Sequence, residues 1–182
     1  WNLLSAEPST ISRLQVRSIS KTHLDGDDSR FTADIGYLGT GDRTFDFNYD
    51  ALQTGRRTVS NMNADGVLQD RSAKLFRGTI DFQKGAAGSK GDEKEDVLLL
   101  GEDVVNRTIP LILCAEEDVE GNHGASIGQL DEDILFYMNS RGLNRAEAEL
   151  LITRSKLEAL CAKANDPGLT DRVHRYLEEN AQ

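Results

Sequence analysis

Strand-like segments follow one another too closely along most of this chain to leave room for helices between them. Residues 31–37 alternate strictly between apolar and polar or small side chains, as do residues 45–51, and the pattern returns at Val59, 67–68 and 76–82. Such alternation predicts strands that bury one face. The short intervals exclude a doubly wound α/β sheet and leave a sandwich, a barrel or a solenoid of stacked strands. No repeat of fixed period is visible that would favour the solenoid.

The strand pattern varies at its two ends. Residues 11–20 alternate more weakly, through Leu14 and Val16. Residues 97–100 and 109–115, in contrast, are apolar at both odd and even positions. A strand that is apolar on both faces is expected to be covered on both. For a sheet wrapped around its own core, the second cover must come from another subdomain or another chain. These two segments therefore give the first indication of a protein–protein interface.

Helical periodicity replaces the strand pattern after residue 130. Asp131 is a candidate N-cap for a helix that ends at Gly142, with an apolar stripe of Ile134, Leu135 and Met138. Asn144 and Glu147 have the spacing of a capping box and predict a second helix. The segment 166–168 breaks that helix, and a third is predicted through Leu169, Val173, Tyr176 and Leu177.

Composition restricts the class of function. The 182 residues carry a formal net charge of −10, and no cluster of Lys and Arg suits a nucleic-acid surface. No segment has the length and apolarity of a membrane span. We therefore expect neither nucleic acid nor a membrane as partner, and we expect the protein to be cytoplasmic. The first residue is Trp1 rather than Met, which suggests a fragment of a longer protein.

The segment 118–142 joins the two patterns and contains an isolated histidine, His123. Asn122 and Gly124 flank it, and small residues let a backbone approach a ligand or another chain closely. Carboxylates precede it and would favour the protonated imidazole unless a metal held the ring neutral. Two interpretations stay open for His123: a metal or catalytic role, and a turn histidine with a structural hydrogen bond.

Three other motifs have alternative interpretations. Residues 124–128 match the G-x-S-x-G form of a hydrolase nucleophile elbow, with Ser126 as nucleophile and His174 as base, but the alternating strands and helices of that fold are missing. Residues 85–92 lack the ending of a phosphate-binding loop and are expected to form a mobile surface loop. Cys114 is either a thiolate ligand or a small buried hydrophobe, whereas Cys161 belongs to the helical core.

Several segments together resemble one known family. Residues 108–119, 123–131 and 135–142 resemble the C-terminal signature of the SufB/SufD scaffold proteins of iron-sulfur cluster assembly, and residues 57–61 and 76–80 are similar to strand segments of that family. The chain is more SufD-like, since Gly124 stands where SufB-type sequences commonly have Glu. Gly121 stands where many SufD sequences have Cys.

The resemblance implies a right-handed parallel β-helix over residues 1–128 and a helical subdomain over residues 129–182. It also implies a scaffold that is not an enzyme, pairing through its β-helix with a SufB-type or identical subunit and docking a SufC ATPase through its helices. The cluster would be transient and shared with a partner chain, with His123 as metal ligand and Cys114 as a second candidate. The expected docking residues are Phe136, Tyr137, Arg141 and Gly142. The alternatives are a serine hydrolase using Ser126 and His174, and a purely structural β-solenoid interaction module.

Overall fold

The computed structural model of the protein describes residues 15–164 and 166–180, so Leu14 of the weak first strand prediction lies outside the described residues. Eight strands come first along the chain: β1 Gln15–Leu24, β2 Arg30–Gly39, β3 Thr44–Gln53, β4 Val59–Gln69, β5 Ala73–Phe82, β6 Ser89–Leu100, β7 Val105–Cys114 and β8 Val119–Gln129. Three helices follow: α1 Glu132–Ser140, α2 Arg145–Lys163 and α3 Pro167–Asn180.

The strands form two four-stranded parallel sheets that take alternate strands of the chain. One sheet has the order β1-β3-β5-β7 and the other the order β2-β4-β6-β8. Each pair of consecutive strands is therefore one turn of a solenoid, and four turns are stacked. The β-solenoid followed by helices that the resemblance implies is confirmed.

A repeat that the sequence does not reveal by eye is visible in the backbone. Gln15 lies beside Thr44 and Thr44 beside Ala73, so each of these turns adds 29 residues. Left-handed backbone recurs at equivalent corners, at Asp28, Arg57 and Gly88, with φ of 62°, 55° and 76°. Arg57 holds this unfavourable conformation while its guanidinium forms two hydrogen bonds of 2.8 Å with Asp28 of the previous turn.

Aromatic side chains fill the core of the first turns. Tyr37, Phe45 and Phe47 are buried, and their ring centroids lie 5.5 to 5.7 Å apart. Rings at such separations and tilted angles pack favourably beyond the area that they bury. The alternation seen in the sequence is thus confirmed as an inward-facing core on β2 and β3.

Two strands run through segments that were predicted from the sequence to be a loop or a turn. The prediction of a mobile loop at 85–92 is wrong: a tight turn ends there at Gly88, β6 begins at Ser89, and Ala86 and Ser89 are buried. The second is β8, which passes through His123, so the histidine lies in a strand and not in a turn. β6 is rich in charged residues and β8 in glycine, and both compositions lower the intrinsic strand propensity. These segments form strands because β6 pairs with β4 and β8 pairs with β6.

Helix boundaries follow the predicted signals. The Asp131 side chain accepts a hydrogen bond from the Asp133 N–H, and Asn144 and Glu147 form the complete capping box. Gly142 has φ of 90° after the end of α1. The predicted stripe of α1 is only partly buried, because Leu135 is buried and Ile134 is 49% exposed.

Helix α2 lies against the outer face of the β2-β4-β6-β8 sheet. Lys163 is 3.1 Å from Asp65 and Lys156 is 2.6 Å from Asp96. Between these ion pairs, the side chain of Leu160 packs over Gly36. Helix α2 thus docks on the β2-β4-β6-β8 sheet, whereas Tyr176 of α3 contacts Arg43, directly before β3 of the other sheet.

The prediction of strands covered on both faces has two outcomes. Val97 and Leu100 of β6 are both buried, which confirms the double cover on that sheet. On β7, in contrast, Ile109 and Leu111 of the outer face are 53% and 46% exposed. The expected second cover of β7 is not provided by the residues that the structure describes.

Candidate functional site

His123 lies at the centre of β8, the last strand of its sheet. Its register partner on the previous turn is Glu93, whose side chain faces the core. Since neighbouring residues in register point to the same face of a sheet, the His123 side chain also belongs to the inward-facing layer. It is nevertheless exposed, because within the described residues no fifth turn covers the last one.

The residue across the core from His123 can be derived from the turn below. A side chain on Gly78 would overlap the carboxylate of Glu93, and one on Gly91 would overlap Ile80, so β5 and β6 run in opposite directions across the core. Gly78 pairs with Pro110 and Glu93 with His123. Pro110 therefore faces His123 in the last turn.

Cys114 lies on the same inward-facing layer as Pro110, at the end of β7. It is exposed, so the interpretation as a small buried hydrophobe is wrong, whereas Cys161 is buried as predicted. Cys114 is four positions along the strand from Pro110, a distance of about 13 Å. The structure therefore places His123 and Cys114 on one rim of the solenoid without bringing their side chains together.

The described part of the chain contains no group of three or more His, Cys, Asp or Glu side chains arranged to hold a metal ion. A bound metal at the rim would need further ligands from outside these residues. Imidazole and thiolate are both suitable ligands for iron, so the chemistry of each rim residue suits it to be a single ligand of such a metal.

A buried polar cluster joins the last turn to the turn below it, and it was not predicted from the sequence. Lys74 forms an ion pair with Glu95, and the Thr108 hydroxyl donates a hydrogen bond to Glu95 and lies 3.1 Å from Lys74 Nζ. Burial lowers the pKa of Lys74. The alternation of β6, in which residues 91, 93 and 95 face inward, could have indicated that two glutamates enter the core.

Glu93 belongs to the same layer and differs from Glu95 in its contacts. Its side chain is 1% exposed, and neither carboxylate oxygen has a hydrogen-bond partner among the described residues. Burial, with a smaller contribution from the nearby charge of Glu95, raises the pKa of Glu93 to about 7. The layer beneath His123 therefore contains an unpartnered carboxyl group, which is unusual in a folded core.

The outer face of β7 forms an exposed apolar stripe beside the rim. Its members are the outward-facing residues Val105, Ile109, Leu111 and Leu113. β7 and β8 each end the strand order of their sheet, so the described chain leaves both outer backbone edges open. Open edges and apolar stripes of this kind are surfaces on which a second chain can add strands.

A second exposed apolar surface lies on α1. Phe136 and Tyr137 are 75% and 57% exposed, and the guanidinium of Arg141 lies 4.9 Å from the centre of the Tyr137 ring. Gly142 directly follows and ends the helix. The four expected docking residues thus lie close together in sequence on one exposed segment. Large exposed aromatic side chains are typical of protein-binding surfaces.

The residues of the hydrolase alternative lie in unsuitable contexts. Ser126 is inside β8, where a nucleophile elbow would need a sharp turn from a strand into a helix. His174 is on α3, and its Nε2 is 2.5 Å from Glu158 of α2 while its Nδ1 is 3.3 Å from Arg154. Both ring nitrogens of His174 are thus engaged within the helices.

None of the helices that the structure describes is both long and apolar enough to cross a membrane.

Comparison with known proteins agrees with this architecture. Residues 8–156 match the family described as "SUF system FeS cluster assembly, SufBD core domain". The iron-sulfur cluster assembly protein SufD of Bacillus subtilis is 30% identical over 135 residues, which cover 74% of this chain and 31% of that protein. SufD of Escherichia coli is 29% identical over 107 residues, covering 59% of this chain and 25% of that protein.

A SufBD family protein of Mycobacterium tuberculosis is 34% identical over 111 residues, covering 60% of this chain and 13% of that protein. The chain thus spans about a third or less of the length of each of these relatives. The family match extends from before β1 into α2 and includes both rim strands. The chain belongs to the SufB/SufD family of iron-sulfur cluster assembly proteins.

Proposed function

We propose that this chain is part of a SufD-like scaffold subunit in a SUF complex, where it helps to hold a nascent iron-sulfur cluster at the end of its solenoid. The observation that carries the proposal is the uncovered last turn, which presents His123 on its rim with too few other ligands among the described residues to complete a site. In this proposal the cluster is cargo, the remaining ligands come from a partner chain, and the subunit catalyses no reaction itself. It acts in the cytoplasm.

The proposed partner at the rim is a SufB-type or identical subunit. Its solenoid would meet the open edges of β7 and β8 and cover the apolar stripe. Stable interfaces of this kind bury about 800 Å² on each partner. The two strand edges and the apolar stripe are the part of the described solenoid that the partner would have to cover to this extent.

A matched pair of substitutions tests the proposed pairing. Ile109 and Ile19 lie in the same register column of the β1-β3-β5-β7 sheet, and they are 53% and 54% exposed. Ile109 is on the last strand and Ile19 on the first. Ile109→Asp is expected to abolish pairing with the coexpressed scaffold partner, measured as complex mass, and Ile19→Asp to leave it intact. Equal effects of the two substitutions would contradict pairing at the rim.

The proposed docking surface for a SufC-type ATPase is the exposed segment of α1. Truncation of a central aromatic side chain in an interface commonly costs 2 kcal/mol or more of binding free energy, roughly 30-fold in affinity. Phe136→Ala is therefore expected to weaken ATPase binding by about that factor while the melting temperature stays unchanged. Leu151→Ala, at a residue of α2 that is 48% exposed, serves as the control. Unchanged ATPase binding by Phe136→Ala would remove this surface from the proposal.

A further inference from the structure

The carboxyl group of Glu93 occupies a space that the fold leaves free for it. Glu93 spans the core from β6 to β5, where Gly78 has no side chain that would overlap the carboxylate. Both carboxylate oxygens are buried and lack partners in the described part of the chain. An unpaired buried polar group costs about 1–3 kcal/mol, so its presence in this position calls for a physical reason.

The other polar groups around Glu93 form their hydrogen bonds elsewhere. The charge of Lys74 acts on Glu93, but its ammonium donates two of its N–H groups to Glu95 and Thr108 and forms no hydrogen bond with Glu93. The Tyr49 hydroxyl, in the layer below, is 3.0 Å from the hydroxyl of Ser18. The layer above contributes Pro110, which has no N–H, and His123. The two register neighbours of Glu93 are Met62 and His123, and of these His123 has a side-chain N–H that can donate to the carboxyl group.

We propose that Glu93 is a positioning residue for His123. When the imidazole is rotated toward the layer of Glu93, one ring N–H donates a hydrogen bond to the Glu93 carboxyl group. The other ring nitrogen then faces the rim, where it binds the metal of the cargo. The proposal rests on the proposed function, because it gives a role to Glu93 only if His123 is a ligand.

The geometry of the stack permits this contact. Neighbouring strands lie about 4.8 Å apart, so side chains in register on β6 and β8 can meet through one hydrogen bond after a rotation of the ring. A metal-binding histidine usually donates its second ring N–H to a carboxylate or carbonyl, which fixes the tautomer and the orientation of the ring. Glu95, two residues along the same strand, has Ala125 above it and cannot act in this way.

A double-mutant cycle tests the pair of residues. Ferrous iron is titrated anaerobically into the untagged full-length gene product in complex with its SUF partners, for the wild type, Glu93→Met, His123→Ala and the double variant. Glu93→Met is expected to weaken iron binding by about 10- to 100-fold, as is typical for loss of a carboxylate that orients a ligand. In the His123→Ala background the same substitution is expected to have no further effect.

Two additional variants separate positioning from folding. Glu93→Gln keeps an acceptor oxygen and is expected to retain most of the affinity. The double variant Lys74→Met/Glu95→Gln, which replaces both members of the neighbouring buried ion pair, serves as the control and is expected to leave His123 unaffected. The ring ¹⁵N chemical shifts of His123 in the gene product report its tautomer and are expected to change in Glu93→Met only.

The proposal is overturned if Glu93→Met weakens iron binding equally with and without His123, or if it changes neither the affinity nor the ¹⁵N shifts. The same double-mutant cycle also shows whether the proposed function itself fails. If His123→Ala alone leaves iron binding unchanged, the ligand role of His123 in the proposed function is wrong, and the positioning role of Glu93 is wrong with it.

Discussion

Gly78 and Glu93 face each other across the core of the solenoid, and the absence of a side chain on the first makes room for the carboxyl group of the second. The pair lies one turn below the rim that carries His123. The fold thus reserves space for a buried acid under the exposed histidine of its last turn, and this arrangement leads to several measurable consequences.

Gly78→Ala is expected to destabilise the protein. The added methyl group overlaps the carboxylate of Glu93, and overpacking of this kind typically costs about 1–3 kcal/mol. Urea unfolding followed by circular dichroism measures the change in free energy. Gly128→Ala is the control, since a methyl group there meets no atom within 4 Å. A Gly78→Ala protein as stable as the control would show that the space over Gly78 is not needed.

The stability of the protein is expected to depend on pH through Glu93. Burial raises its pKa from 4.5 to about 7 in the folded state, so the folded protein holds a proton that the unfolded chain releases near pH 4.5. The stabilisation from the neutral acid is complete below pH 4.5 and is lost as the pH rises to 7, by about 3 kcal/mol in total.

Glu93→Gln cannot ionise and removes this dependence. The difference in unfolding free energy between Glu93→Gln and the wild type should therefore grow in favour of the variant from pH 4.5 to pH 7 and stay constant above pH 7. Denaturant unfolding at several pH values measures it. A difference that is independent of pH would contradict a neutral Glu93 in the folded core.

Lys74→Met is expected to be strongly destabilising. It leaves the buried carboxylate of Glu95 without its cation, and breaking a buried ion pair from one side typically costs about 3–5 kcal/mol. The double variant Lys74→Met/Glu95→Gln removes both charges and should recover much of that loss. Thermal unfolding of the single and double variants measures the recovery. A double variant less stable than Lys74→Met would contradict the ion pair as the reason for burying both groups.

The ion pairs of α2 are expected to hold the helical region against the solenoid. In Lys156→Ala/Lys163→Ala the contacts to Asp96 and Asp65 are lost, and each exposed pair contributes up to about 1 kcal/mol. Hydrogen exchange of the α2 amides should accelerate in this variant, and addition of salt should accelerate it in the wild type. Arg172→Ala, whose partner Asp166 is outside the solenoid, should leave α2 exchange unchanged.

The sequence predicted the first strands and all three helices because their signals are local. Alternation at 31–37 and 45–51 and the capping box of Asn144 depend on neighbouring residues only. The repeat was not visible, because its length changes from 29 residues between β1 and β3 to 32 between β5 and β7. In addition, equivalent corners carry Asp28, Arg57 and Gly88, which share a backbone conformation and not a residue type.

The site was only partly predictable for a related reason. His123 was identified from its isolation and its resemblance to a known family, but its place in a strand depends on pairing with β6. The link to Glu93 spans 30 residues and exists only once the turns are stacked. The charged pattern of β6 suggests a surface segment until the register shows which of its residues face inward.

The most direct test of the central claim is anaerobic reconstitution with iron and sulfide. The full-length gene product alone is compared with the product coexpressed with its SUF partners, and visible absorbance and complex mass are read together. We predict a cluster that forms only in the complex and is lost in His123→Ala while the complex stays intact. A complex whose cluster forms equally well in His123→Ala would contradict a shared cluster site at this rim.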